Sequence, residues 1–299
     1  MSDPRVSVIC IFFNERRFLA EAIESVLGQT YRDFELILAD DGSADESVAI
    51  ARDYAQRFPD RVRYVEHPGH ANRGMSATRN LGLASARGEF DAFIDADDVW
   101  LPTKLAEQVA ILDAHPEAGI VCGMVKWWFS WDGGKDVLTP TGHVQDAMSR
   151  PPETSLALYP LGKAGAPCPS DILVRRSLIA KVGGFEEHFA GHRQMYEDAG
   201  FLSKAYLEAP VYFSSTNWLL YRRHEESCMS KVVEAGQYEA VRQYFLDWFE
   251  DYLEGHPVPS KQELLQRIED CRRRIYRWPS AALRQRIKRK LRPLLRLAG

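Results

Sequence analysis

Three carboxylates lie within four residues in the segment Asp95-Ala96-Asp97-Asp98. Carboxylates this close repel one another unless a cation neutralises them. Mg²⁺ and Mn²⁺ prefer such oxygen ligands, and a Mg²⁺ site commonly combines one or two carboxylates with substrate phosphates. The segment therefore predicts a divalent-metal site. A solvated acidic turn that caps the next helix is the alternative, and the apolar strand just before the segment disfavours it.

A second acidic pair, Asp40-Asp41, follows another apolar run and precedes Gly42-Ser43. A carboxylate at this point can accept a hydrogen bond from a nucleobase or a ribose hydroxyl. The alternative is a turn with a helix cap, because Ser43 and Glu46 have the spacing of a capping box. That alternative accounts for Gly42 and Ser43 but not for both aspartates. The glycine-rich phosphate loops of P-loop and dinucleotide-binding enzymes are absent from the sequence, which leaves a metal to bind a diphosphate.

Glu197-Asp198 is a third acidic pair, at the predicted start of a helix. A hydroxyl is a poor nucleophile near neutral pH, so a reaction at a hydroxyl needs a base within hydrogen-bond reach. One of these carboxylates could be that base. The alternative is that both acids only stabilise the helix N-terminus through the macrodipole.

Aromatic residues cluster at Trp127, Trp128, Phe129 and Trp131, just after a predicted strand. Their faces could stack on a sugar ring. Packing in a core or between domains is an equally weighted alternative, since aromatic side chains dominate buried contacts.

Alternating strands and helices must position these groups. Apolar runs predict strands at 6–12, 34–39, 62–65 and 90–94. Helical patterns separate them at 18–26 and 75–86, and another helix is expected to open at Ser43. This order predicts an α/β fold with a mostly parallel sheet flanked by helices. Ligands bind beyond the C-terminal ends of such strands, and the acidic segments lie there.

The rest of the chain is less regular. We expect a helix at 102–114, a strand at 119–126, irregular structure over 127–170, a short strand at 171–174, a helix at 196–207 and an extended segment at 211–222. The pattern then becomes helical. We therefore predict a catalytic domain over 1–230 and a helical extension over 231–299.

Composition excludes several classes of protein. The chain has 299 residues and a net charge of −4, which argues against a general nucleic-acid-binding protein. We expect no secretory signal and no membrane-spanning segment. The five cysteines are scattered, so a reduced, cytoplasmic compartment is the simplest interpretation.

The C-terminal tail departs from this average, because no acidic residue follows Asp270. Apolar residues recur there at helical spacing, at Leu283, Ile287, Leu291 and Leu294. The tail is thus predicted to form a basic amphipathic helix that binds an anionic membrane surface, which would place the protein peripherally on the inner face of a membrane. A solvated helix or an acidic protein partner is the alternative.

Several blocks together resemble the family 2 glycosyltransferases, which have the GT-A fold. The opening strand through Asn14-Glu15, the Asp40-Asp41-Gly42-Ser43 block, Arg79-Asn80-x-Gly82, the Asp95-x-Asp97 motif, Glu197-Asp198 and Tyr221-Arg222-Arg223-His224 appear in the family's order. Each block alone is weak, whereas their order and spacing are specific. The opening strand ends Phe12-Phe13-Asn14 where many relatives have Pro-x-Tyr-Asn, and segment 127–170 matches nothing in the family's pattern.

The resemblance implies a role for each residue. Asp198 would be the general base, with Glu197 as a substitute, and Asp97 and His224 would bind Mg²⁺ or Mn²⁺. Contact of Trp127, Trp128 and Trp131 with the acceptor is not implied by the resemblance and rests on their aromatic faces alone. The nucleotide sugar would contact Phe12, Asn14, Glu15, Asp40, Asp41, Arg79, Asp95 and Ala96.

The implied activity is inverting transfer of a sugar from a nucleotide diphosphate donor, with uridine as the default base, to a hydroxyl of a saccharide or lipid-linked acceptor. A related nucleotidyltransferase is one alternative, although Asn14-Glu15-Arg16-Arg17 lacks the glycines of a triphosphate loop. A non-catalytic protein that binds sugar nucleotides is the other.

Overall fold

Ten strands form one sheet in the computed structural model, which describes residues 3–277. The strands are β1 (Val6–Phe12), β2 (Phe34–Asp40), β3 (Val62–Glu66), β4 (Phe90–Asp95), β5 (Val99–Trp100), β6 (Ile120–Trp128), β7 (Val137–Thr139), β8 (Ala147–Ser149), β9 (Leu173–Arg175) and β10 (Val211–Arg222). Their order is β3-β2-β1-β4-β9-β6-β10-β5, with β7 beside β6 and β8 beside β10.

Helices connect these strands, and three further helices follow the last strand. They are α1 (Leu19–Leu27), α2 (Ser47–Arg57), α3 (Met75–Ser85), α4 (Lys104–Ala114), α5 (Glu153–Ala157), α6 (Arg176–Val182), α7 (Glu197–Glu208), α8 (Cys228–Glu234), α9 (Tyr238–Gly255) and α10 (Lys261–Arg277). The chain divides into two compact units between His224 and Glu225.

The sheet is mixed. Strands β1 to β4 are mutually parallel where they pair, and β6 is parallel to β10. Strand β9 is antiparallel to both β4 and β6 and joins the two parallel parts. The predicted α/β class with a mostly parallel sheet is thus found. The short strand predicted at 171–174 corresponds to β9, whose antiparallel pairing the sequence did not reveal.

Strand β1 explains why the apolar runs were informative. All seven of its residues are buried, and successive side chains enter opposite cores. Val8 and Cys10 pack on one face with α1 and α4, whereas Ile9 and Ile11 pack on the other with α6 and α7. A strand covered by helices on both faces needs apolar residues at every position, so its sequence is continuously hydrophobic.

The predicted capping box at Ser43 and Glu46 is wrong. Helix α2 begins at Ser47, and its first amide donates to Asp45 Oδ1 at 3.0 Å. Ser43 Oγ instead accepts a hydrogen bond from the Asn14 amide at 2.9 Å. Ser43 therefore links the loop after β2 to the end of β1 instead of capping α2.

The second unit contains α8, α9 and α10. Helix α9 buries Val241, Phe245, Leu246, Phe249 and Leu253. Spacing of three and four residues puts these side chains on one face of the helix. None of the helices within residues 3–277 combines the length and hydropathy needed to cross a bilayer. The residues proposed to form the basic amphipathic helix, 283–294, lie outside the described residues.

Candidate active site

The C-terminal ends of three neighbouring strands bring the first predicted residues together. Phe12 at the end of β1 is in register with Asp40 on β2, and Ile11 is in register with Asp95 on β4. Parallel strands end at the same edge, so residues far apart in sequence share one rim. Asn14 and Glu15 lie just beyond β1 on this rim.

The Asp95–Asp98 segment forms a tight turn after β4. The Asp98 amide donates to the Asp95 carbonyl at 3.0 Å, and the Asp95 amide donates to Ser170 Oγ at 3.0 Å. Ala96 is buried, and so is Asp98, whose Oδ1 accepts from the Arg222 amide at 3.0 Å. Burial raises the pKa of Asp98 well above its usual value. Asp98 is therefore held inside the fold, and its neighbour Asp97 faces the solvent side.

Asp97 meets His224 from the end of β10. His224 Nε2 lies 2.8 Å from Asp97 Oδ2, and the Asp97 side chain is 24% exposed. A carboxylate oxygen and an imidazole nitrogen are suitable ligands for Mn²⁺ or Mg²⁺. Buried Asp98 Oδ2 has no hydrogen-bond partner among residues 3–277, so the turn holds more acceptor capacity than its protein donors use. The two residues predicted as metal ligands thus fit a divalent cation.

Arg79 on α3 lies between the Asp95–Asp98 segment and the Glu197-Asp198 pair. Its Nη2 donates to Asp95 Oδ1 at 2.6 Å, and its Nη1 lies 3.2 Å from Glu197 Oε1. The side chain is 1% exposed, and its guanidinium lies 5.5 Å from the ring centre of Phe185. Arg79 therefore connects β4 with the start of α7, and its exposed fraction leaves little surface for direct contact with a diphosphate.

Glu197 and Asp198 begin α7 but have different surroundings. Glu197 is buried, and removal from solvent raises its pKa to about 8, against the opposing effect of Arg79. Asp198 is partly exposed, and desolvation raises its pKa to about 6, opposed by the Ala199 amide and by Arg79. Asp198 Oδ1 accepts from that amide at 2.6 Å. Asp198 combines access to a ligand with a pKa suited to a base near neutral pH.

Asp40 and Asp41 are both buried and bonded to protein groups. Asp40 accepts from the Ser43 amide and from the Tyr64 hydroxyl, each at 2.9 Å. Asp41 Oδ1 accepts from the Arg73 amide at 2.6 Å and from the Gly74 amide at 3.0 Å. In this structure Asp41 therefore positions the loop before α3, which lies beside the site.

Asn14 completes the same loop system. It has a positive φ of 55°, and its Oδ1 accepts from the Ala44 amide at 2.7 Å. The Glu15 amide donates to Ser47 Oγ at 2.8 Å. These bonds tie the end of β1 to the loop after β2, which would form one wall of a nucleoside pocket.

A second group of ligand-type atoms surrounds Asp40. One ligand atom each from Asp40, Glu66 and His70 lies within 4.8 Å of the others. His70 Nδ1 is 2.8 Å from Glu66 Oε2, and its Nε2 is 2.7 Å from the Ser43 carbonyl. Hydrogen bonding to these acceptors raises the pKa of His70. The sequence offered no signal for this group, because Glu66 and His70 belong to no motif.

The tryptophans contact arginines. The guanidinium of buried Arg222 lies 4.3 Å from the ring centres of both Phe18 and Trp128, and 5.1 Å from that of Trp131. The Arg223 guanidinium lies 4.8 Å from the ring centre of Trp127. Cation–π packing thus already engages the rings predicted to bind an acceptor, and that role stays a prediction.

Arg222 and Ser170 were missed as supporting residues. Arg222 Nε donates to the Asp97 carbonyl at 2.7 Å, and its guanidinium contacts Glu21. Arg222 therefore connects the acidic turn to α1. Arg222 lies inside a recognised block, but spacing cannot show that its side chain turns inward. Ser170 lies in a segment with no recognised pattern.

Comparison with known proteins decides the family. The model of glycosyl transferase family 2 matches residues 7–183, which include both acidic segments at the strand ends, Asp40-Asp41 and Asp95–Asp98. The chain belongs to glycosyl transferase family 2. Glycosyltransferase GlyG of Streptococcus pneumoniae is 26% identical over 274 residues, which cover 89% of this chain and 80% of GlyG. An uncharacterized glycosyltransferase of Nostoc sp., alr2836, is 38% identical over 117 residues, which cover 39% of this chain and 35% of that protein.

Solved structures confirm the GT-A-type fold. S. aureus TarS 1-349 in complex with UDP has a TM-score of 0.67 at 19% identity, over 92% of this chain and 72% of that chain. Mannosyltransferase PcManGT from Pyrobaculum calidifontis, in complex with GDP-Man and Mn²⁺, has a TM-score of 0.59 at 18% identity, over 97% of this chain and 81% of that chain. The chain spans 26% to 42% of the length of the first curated relatives that it matches.

Proposed function

We propose that this family 2 protein transfers a sugar from a nucleotide diphosphate donor, with UDP as the nucleotide, to a hydroxyl of a saccharide or lipid-linked acceptor. The observation that carries the proposal is the junction made by Arg79, which contacts Asp95 at the donor rim and Glu197 beside Asp198. The segment proposed to bind the donor and the candidate base would thereby be held at one site. The UDP and GDP-Man complexes of the structural neighbours support a nucleotide-sugar donor.

Asp198 is the proposed general base. It is accessible, and a pKa raised to about 6 lets it ionise at neutral pH while remaining basic enough to accept a proton. It would take the proton of the acceptor hydroxyl as oxygen attacks the anomeric carbon and the bond to the diphosphate breaks. A single base and in-line displacement invert the anomeric configuration.

Asp97 and His224 would hold the divalent cation. When bound, that cation would neutralise charge on the departing diphosphate. Asp97 supplies an oxygen ligand and His224 a nitrogen ligand, while the Arg222 side chain fixes the Asp97 backbone through its carbonyl. The chain's own contribution is therefore to orient two ligands on the solvent side of a rigid turn.

Binding measurements test the metal assignment. Calorimetry with UDP and Mn²⁺ should show a large loss of nucleotide affinity in Asp97→Ala, because the variant would no longer supply this oxygen ligand to the cation. Asp136→Ala is a matched control, since Asp136 is bonded within its own turn at Phe129 and Ser130. Unchanged Mn²⁺-dependent binding by a folded Asp97→Ala protein would remove Asp97 from the site.

Activity separates an enzyme from a protein that only binds sugar nucleotides. UDP release from UDP-GlcNAc, with water as the acceptor and Mn²⁺ present, should exceed release without protein, and Asp198→Asn should abolish the excess. If a panel of UDP-sugars and GDP-mannose binds without release or transfer, the non-catalytic alternative gains support.

A further inference from the structure

Glu197 is enclosed although it belongs to the acidic pair that resembles a catalytic motif. Its side chain is 2% exposed, and that of its partner Arg79 is 1% exposed. Glu197 Oε2 has no hydrogen-bond partner among residues 3–277. The group is therefore fixed inside the protein on one side by a guanidinium and on the other by packing.

This location does not suit proton transfer to or from a substrate. A general base must come within hydrogen-bond reach of the acceptor hydroxyl. Successive helix residues point about 100° apart, so Glu197 and Asp198 cannot face the same space. Asp198 is partly exposed, whereas Glu197 points toward α3 and β4.

The Arg79 guanidinium is suited to join two carboxylates. Its planar fork presents donors in fixed directions, which a lysine cannot reproduce. One branch contacts Asp95 and the other lies beside Glu197. Loss of either carboxyl group would leave the buried guanidinium charge with one partner fewer. Such a loss destabilises the folded protein.

We propose that Glu197 is a positioning residue that acts through Arg79 and holds the helix bearing Asp198 at a fixed distance from the donor segment at Asp95. This inference rests on the proposed function. Glu197 thus restrains Arg79, and Arg79 restrains α7 against β4. Burial raises the pKa of Glu197 to about 8, and the neighbouring Arg79 opposes that rise.

Substitutions at the acidic pair give the test, with UDP-GlcNAc and Mn²⁺ as probes and UDP release as the readout. Glu197→Gln keeps an acceptor oxygen for Arg79, so its kcat should stay within about tenfold of wild type. Glu197→Asp withdraws the oxygen by one methylene, and Glu197→Ala removes it. Both should lower kcat, by up to about 10²-fold for alanine, while the donor KM changes little, because a misplacement of about 1 Å has that effect on rate. Asp198→Asn should lose more than any of them.

A double-mutant cycle tests whether Glu197 acts through Arg79. Arg79→Lys should lower kcat, and adding Glu197→Asp should then cost little further, since the shared contact is already lost. Glu208→Ala, at the far end of α7, is the control and should leave kcat unchanged. Circular dichroism and melting curves would show which variants fold.

Each outcome decides the inference. Glu197→Gln as inactive as Asp198→Asn would make Glu197 a second base. Glu197→Asp with wild-type kcat, or losses that multiply independently in the cycle, would show that Glu197 does not work through Arg79. If wild-type protein releases UDP and these patterns fail, only this inference falls. A wild-type protein without release from any donor removes the proposed function and this inference together.

Discussion

At the scale of single residues, neighbouring carboxyl groups acquire different properties from their surroundings. Glu197 and Asp198 are adjacent in sequence, yet one is enclosed beside Arg79 and the other is partly exposed. Burial raises both pKa values, to about 8 and about 6. The family resemblance named Asp198 as the base with Glu197 as a substitute, but the sequence could not show how deeply each side chain is buried, because a helix start gives no information about depth.

The pH dependence of turnover should follow the ionisation of the Asp198 carboxyl group. Its pKa is raised, so the carboxylate is the minor form below about pH 6 and the major form above it. Donor-saturated kcat/KM for the acceptor should therefore fall about tenfold per pH unit below pH 6 and level off above it. Asp198→Asn should reduce kcat by about two to four orders of magnitude, the usual effect of removing a general base.

UDP affinity separates this effect from lost binding. Asp198→Asn should bind UDP and Mn²⁺ like wild type, since the proposed metal ligands are Asp97 and His224. An acid limb that persists unchanged in the residual activity of Asp198→Asn would assign the titration to another group. A variant that loses UDP affinity but not kcat would make Asp198 a binding residue.

At the scale of elements, two loops beside the site are packed against each other through a glycine. Gly42 has a φ of +79°, and a Cβ placed there would lie 2.8 Å from the Asn72 amide nitrogen and 2.8 Å from the His70 carbonyl. Asp41 next to it already binds the Arg73 and Gly74 amides. The loop after β2 and the loop before α3 therefore form one unit. Their close approach depends on the absence of a side chain at Gly42.

Gly42→Ala should destabilise the protein by more than conformational strain alone. Gly133 is a matched control, because it has the same φ of +79° and a Cβ added there would meet no described atom within 4 Å. Gly133→Ala should cost about 1 kcal/mol, the cost of a left-handed conformation for alanine. Gly42→Ala should add about 1–3 kcal/mol from overpacking against backbone. Urea unfolding of both variants measures the difference.

The same pair of variants reports on the site. Gly42→Ala should also weaken UDP binding, since the displaced 70–72 segment borders the proposed nucleoside pocket, whereas Gly133→Ala should bind UDP normally. Equal unfolding free energies for the two variants would show that the segment moves aside without cost, and the two loops would then not be rigidly coupled.

Elements buried on both faces were predictable and those held by side-chain contacts were not. Strands β1, β2 and β4 have nearly continuous apolar sequences because helices cover both of their faces, and these sequences made them predictable. Segment 127–170 was expected to be irregular, yet it contains β7, β8 and α5. These elements have three to five residues each, too few for a period to show. The Ser43 error has a similar origin, since local spacing could not reveal Asn14 as a competing partner.

At the scale of the whole molecule, the order of motifs along the chain was the strongest information. The family match over residues 7–183 confirmed the assignment that this order suggested. What the order could not supply is the set of contacts between distant segments. Arg79 joins residues 95 and 197, and Arg222 joins residues 21 and 97, and these pairs are separated by up to 201 positions. Such contacts depend on the folded sheet rather than on any local pattern.

The last prediction concerns the basic C-terminal segment. Residues 278–299 contain seven arginines and lysines and no acidic residue, with apolar residues at helical spacing among them. Each basic residue near an anionic surface contributes about 1 kcal/mol, and apolar burial adds to it. We therefore expect the full chain to cosediment with vesicles that contain phosphatidylserine, and deletion of residues 278–299 to reduce that binding at least tenfold. Deletion should not change UDP affinity, because the proposed ligands lie upstream.

Raising the salt concentration should weaken vesicle binding by screening. Replacing Leu283, Ile287, Leu291 and Leu294 by serine should lower binding even at low salt, which separates apolar anchoring from charge. Equal sedimentation of the full and shortened chains, or of neither, would show that this segment does not bind lipid, and an acidic protein partner would become the hypothesis to test.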